Sequence, residues 1–136
     1  MRYITPLKAA EGLGASHTGT KDHWFLTVTA VALGILTPCF MLVVGKALHL
    51  AGMVSPAASR AMVIEYFSRP YPAIITALFI IVGMLHFIRG TRIMIDDYLD
   101  HTARKVAIIF SVIFSWAVIA VAVYALARMG LGAPVI

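Results

Sequence analysis

The sequence predicts an all-α membrane protein built on three transmembrane helices, and three observations carry that prediction. The chain of 136 residues is 61% hydrophobic and only 12% charged, about half of the roughly 25% charged residues of an ordinary soluble domain. Three stretches contain no charged residue at all, Trp24 to Gly45, Tyr71 to Ile88 and Val106 to Ala127, against a requirement of about 20 residues to cross the hydrocarbon. The segments between them are short, so a soluble catalytic domain has no place in the chain. It reads as one domain over 1–136 and as a subunit of a larger assembly.

Taken in order, 1–23 is a polar segment in which Gly12, Gly14 and Gly19 interrupt any helical pattern, and it ends in Lys21, Asp22, His23 and Trp24. Trp24 reads as an anchor at the membrane surface. The first span covers 24–46, with Pro38 inside it removing one backbone donor and bending it. Residues 47–70 form a connection that holds a short surface helix from Ala57 to Phe67 after the Ser55-Pro56 start signal. Pro70 and Pro72 open the second span, 71–98, where first-turn amides need no intrahelical partner. A short connection at 99–105 makes the second and third spans antiparallel neighbours. The third span, 106–128, offers only Ser111, Ser115, Trp116 and Tyr124 as side chains able to hydrogen-bond and reads as scaffold; 129–136 is a tail.

The net charge of +5 follows helix ends rather than a basic stripe, which argues against nucleic acid. Arg2, Lys8, Lys21, Arg92, Arg104 and Lys105 fall on one side, while Lys46, Arg60, Arg69 and Arg128 fall on the other. The positive-inside rule therefore favours a cytoplasmic N-terminus. The first apolar run is too long for a signal h-region and has no cleavage pattern after it, so the first span is expected to stay in the mature protein. The single cysteine, Cys39, excludes a disulfide framework and a thiolate cluster within one chain.

The chemistry concentrates in the second span. Gly83, His86, Gly90, Ile93 and Asp97 recur at alternating spacings of three and four residues, which puts them on one helical face. A histidine at membrane depth is costly and therefore a candidate functional group. The two glycines, about one turn to either side of it, leave bare backbone where a large flat group can approach. A heme fits that description, since neutral imidazole is a common axial ligand and an apolar helix bundle provides a dry pocket. The plainer reading is that the glycines serve helix packing and His86 is interhelical glue. His17, His23, His49 and His101 fall at helix ends or in connections. Asp97 lies eleven residues beyond His86, about 16 Å along the axis at 1.5 Å each, which places Asp97 and Tyr98 near the headgroups. There, a phenol and an acid can hydrogen-bond and protonate a lipid-soluble quinone. The alternative is an ordinary interfacial tyrosine beside an acidic helix end, with Asp96, Asp97 and Asp100 paired to Arg92 or Arg104.

The combination of His86, Gly90 and Asp97-Tyr98 on the second of three helices resembles the small membrane-anchor subunits of succinate dehydrogenase, respiratory complex II. Chain length and layout agree, and His23-Trp24 followed by Thr29-Ala30 and Leu33 looks like that family's start of helix one. The resemblance implies half of a heme- and quinone-binding anchor bundle in a bacterial inner membrane. It implies that His86 is one axial ligand of a heme b, the other being a histidine of a larger cytochrome b anchor subunit. It also implies that Tyr98 hydrogen-bonds ubiquinone with Asp97 as support or proton relay, and that FAD and iron–sulfur clusters reside in flavoprotein and iron–sulfur partner subunits. Where the family often carries a basic pair ahead of Thr29-Ala30, this chain has Leu26 and Thr27. Arg89 is then a candidate for a heme propionate, with Arg92 as a second. By itself the chain is expected to be inactive. The rival expectations are a structural or assembly subunit without cofactor, a fumarate reductase anchor, and a transporter subunit using His86 and Asp97 as a proton relay. No broken-helix pair supports the last.

Overall fold

The computed structural model describes residue 5 and residues 18–132. Arg2 and Lys8 of the charge count, and Gly12, Gly14 and His17 of the polar segment, lie outside the described residues, as do 133–136 of the tail. Four helices follow one another: α1 (Thr18–Gly52), α2 (Pro56–Phe67), α3 (Pro70–Tyr98) and α4 (His101–Gly130). Helices α1, α3 and α4 are long and apolar enough to cross a membrane. With the composition, this makes the chain an integral membrane protein.

Helix α1 has 35 residues, about 52 Å at 1.5 Å each, against a hydrocarbon core of about 30 Å. It overruns its uncharged stretch at both ends, and Gly19 lies inside it rather than breaking it. A glycine costs a helix about 1 kcal/mol relative to alanine. In the first turn its amide needs no intrahelical partner in any case, so Gly19 does not stop the helix from starting at Thr18. Pro38 also lies within α1, where its missing N–H leaves the Gly34 carbonyl without its helical partner. The neighbouring Thr37 hydroxyl donates to the Leu33 carbonyl at 2.6 Å.

Helix α2 starts at Pro56 after Ser55 in extended conformation, as proline at a first helical position favours. The Ser59 hydroxyl donates to the Ala51 carbonyl at 2.8 Å, tying α2 to the end of α1. Val43, Ala47 and Tyr66 are buried there, with Leu50, Phe67 and Ile75 packed against them. This small core clamps the end of the molecule opposite Tyr98.

Helix α3 packs against both α1 and α4, whereas α1 and α4 do not touch each other among the described residues. The three spans therefore form a row with α3 in the middle. Phe40 of α1 stacks on Phe79 of α3 at 4.1 Å between ring centroids. On the other side, Phe87 meets Phe114 of α4 edge-on. Ser111 and Ser115 of α4 are buried, and their hydroxyls donate to the carbonyls of Ile108 and Ser111. Small side chains that satisfy themselves on their own helix let two helices approach closely in lipid. Only Leu99 and Asp100 join α3 to α4, and His101 takes a φ of 49° to make the reversal, a left-handed conformation that histidine adopts more readily than bulky residues. The outward faces stay apolar, with Val31, Ile35 and Leu42 on α1 and Ile113, Trp116 and Val121 on α4 all exposed.

Candidate functional site

The face of α3 that carries Gly83 and His86 is turned toward α1. A Cβ built on Gly83 would lie 3.8 Å from Leu33 Cδ2, an ordinary van der Waals contact. One turn further on, His86 Nδ1 is 2.8 Å from Thr29 Oγ1. Thr29 is buried, and its oxygen also lies 2.8 Å from the Phe25 carbonyl and 3.1 Å from the Leu26 carbonyl of its own helix. Carbonyls only accept, so either can take the single threonine hydrogen; the hydroxyl then accepts from His86 Nδ1–H in the tautomer that leaves Nε2 with a free lone pair. Nothing lies within 4 Å of a Cβ built on Gly90. A half-buried imidazole with a bare Nε2, beside a notch of naked backbone, suits a heme as axial ligand and flat neighbour.

Toward the Tyr98 end, the groove between α1 and α3 opens into a cavity of about 670 Å³, lined by Lys21, Asp22 and Phe25 of α1 and by Arg89, Arg92 and Asp96 of α3, among others. Arg89 forms an ion pair with Asp22 and places its guanidinium 5.2 Å from the centre of the Phe25 ring. Asp96 accepts from Arg104 Nε of α4 at 2.6 Å and lies 3.9 Å from Arg92 Nε. Of the three acids at this helix end, Asp96 thus takes both arginines. Asp97 is exposed and forms no ion pair with a described residue, and Tyr98 is 81% exposed. Both side chains are free to meet something outside this chain.

The five residues of the α3 stripe therefore divide. Gly83 and His86 face α1, Gly90 opens on space, Ile93 lines the cavity, and Asp97 reaches the surface. Sequence reasoning placed Thr29 only as a family signature and left Asp22 in a surface cluster, yet the fold brings them against His86 and Arg89. The signal for Thr29 was a hydroxyl inside an uncharged run, where such a group needs a partner. Among the described residues, no group of three or more His, Cys, Asp or Glu side chains is placed to hold a metal ion.

The family model of the succinate dehydrogenase/fumarate reductase transmembrane subunit matches residues 1–125. The succinate dehydrogenase hydrophobic membrane anchor subunit of Paracoccus denitrificans is 65% identical over 136 residues, covering 100% of this chain and 99% of that protein. No solved structure matches the chain. Full-length identity at that level, with a family match over most of the chain and a three-span layout, means that the chain belongs to the family of succinate dehydrogenase/fumarate reductase transmembrane subunits.

Proposed function

We propose that this chain anchors the flavoprotein and iron–sulfur subunits of a succinate:quinone oxidoreductase to a bacterial inner membrane, with its N-terminus in the cytoplasm. Together with a larger cytochrome b subunit, it contributes to a b-type heme site and a ubiquinone site. The observation that carries the reading is His86, whose Nε2 is left free by the Nδ1 contact with Thr29, beside the open backbone of Gly90. When bound, a heme in such a site stores and releases one electron. His86 would hold it from this chain, and a histidine of the larger anchor subunit would be its second ligand. Arg89 and Arg92, which line the neighbouring cavity, are the cations of this chain best placed to meet its carboxylates, although Asp22 already shares Arg89.

Tyr98 and Asp97 are exposed at the polar end of α3, with no partner among the described residues, and on this reading they meet the membrane surface. The Tyr98 hydroxyl would donate to a quinone carbonyl, and Asp97 would pass protons from water as the quinone takes up two electrons and two protons. The electrons come from succinate through the flavoprotein and iron–sulfur subunits. Succinate oxidation is favoured over fumarate reduction by the full-length relative, which is a succinate dehydrogenase anchor.

The deciding experiment is a reduced-minus-oxidised spectrum of the complex purified through this chain, wild type against His86→Ala. Loss of the low-spin b-type signal, with the partner subunits still co-purifying, is expected. An unchanged signal removes His86 as ligand and favours a purely structural role.

A further inference from the structure

We infer that Thr29 is the positioning residue for His86: its side-chain oxygen accepts the Nδ1 proton, selects the tautomer with Nε2 bare, and tunes the electron affinity of whatever iron Nε2 holds. The inference rests on the heme reading above and goes beyond it by assigning a role to a residue of a different helix.

Three features support it. The contact is 2.8 Å between Thr29 Oγ1 and His86 Nδ1, and Thr29 is buried, so water does not readily substitute for it. The Phe25 and Leu26 carbonyls lie 2.8 and 3.1 Å from the threonine oxygen and can only accept, so a hydrogen turned toward them leaves the oxygen as an acceptor toward the ring and favours the tautomer with Nε2 bare. Finally, the contact spans α1 and α3, 57 residues apart in sequence. Helix packing through Gly83 and Leu33 therefore sets the ring orientation as well as the tautomer. Metal-bound imidazoles commonly donate their second N–H in this way, and such a bond raises the basicity of the ligating nitrogen. A more basic Nε2 stabilises the ferric over the ferrous state and lowers the midpoint potential.

The test uses the intact complex with three variants: Thr29→Val, which keeps the shape and removes the oxygen, Thr29→Ser, which keeps the oxygen, and His86→Ala. The readouts are heme content, the low-spin electron paramagnetic resonance signal and the midpoint potential. Thr29→Val is expected to raise the potential, by about 59 mV for each tenfold loss of ferric preference, to move the resonance positions, and to lower heme retention about tenfold or more. Thr29→Ser is expected to retain wild-type values. If His86→Ala abolishes the signal while Thr29→Val leaves potential and resonance unchanged, the role of Thr29 is refuted and the heme reading stands. If His86→Ala leaves the heme intact, both fall. Equal shifts in Thr29→Val and Thr29→Ser would reduce Thr29 to a packing residue and also overturn the proposal.

Discussion

Thr29 and Thr76 are both buried threonines in apolar helices, and they differ in what their hydroxyls do. Thr29 bonds two carbonyls of its own helix and a histidine of another. Thr76 Oγ1 is buried with no hydrogen-bond partner among the described residues. A buried hydroxyl without a partner costs roughly 1–3 kcal/mol relative to a satisfied one, while valine has the same shape and nothing to satisfy. Thr76→Val is therefore expected to leave the fold intact and raise the thermal stability of the complex, by about 1 kcal/mol. A thermal-shift assay of the detergent-solubilised complex checks it, and a clear loss of stability would mean that a partner chain supplies the missing acceptor. His86 was legible in the sequence because a titratable group in an uncharged stretch stands out on chemistry alone. Thr29 as its partner was not, since a contact across 57 residues depends on how α1 and α3 slide past one another. The pairing of Asp96 with Arg92 and Arg104 was foreseeable because one pair lies on adjacent turns and the other crosses a tight reversal. Arg89 with Asp22 was not, for the same reason as Thr29.

At the level of the helix, periodicity made the stripe of α3 readable, while its neighbours decided what each position does. Gly83 meets Leu33, but Gly90 meets nothing. A glycine kept inside a membrane helix at a cost of about 1 kcal/mol relative to alanine, with open space over it, is consistent with room for a flat group supplied from outside the chain. Gly90→Ala is expected to assemble normally and lower heme occupancy slightly, and Gly90→Leu to assemble with little heme. Heme-to-protein ratios of the purified complexes measure this. Full heme content in Gly90→Leu would show that the notch is not where the group approaches. The ends of the helices were harder to read than their middles. Charge marked where each hydrocarbon crossing should stop, but α1 runs from Thr18 to Gly52, because charged side chains do not end a helix and each added residue continues its backbone hydrogen bonding.

On the scale of the whole molecule, the order α1, α3, α4 in a row, with the outer helices apart, explains why this chain needs company. A closed bundle would bury the α3 face within itself. A row leaves one side of α3 available, and the exposed apolar side chains of α1 and α4 suit lipid on one side and further helices on the other. Composition made three spans legible, but not their order, because apolar faces of similar character can pack in either sequence. On the proposed function, Tyr98, 81% exposed in this chain, becomes part of the quinone site only when partner subunits surround it. Its hydroxyl has no partner to lose among the described residues, so Tyr98→Phe is expected to leave assembly, heme content and succinate oxidation by an artificial acceptor near wild type. Reduction of ubiquinone by succinate should fall by about tenfold or more, in line with losing one hydrogen bond worth roughly 1.5–3 kcal/mol to a developing charge. The two activities are measured on the same preparation. A parallel fall in both would trace the defect to assembly, and unchanged quinone reduction would move the quinone site away from Tyr98.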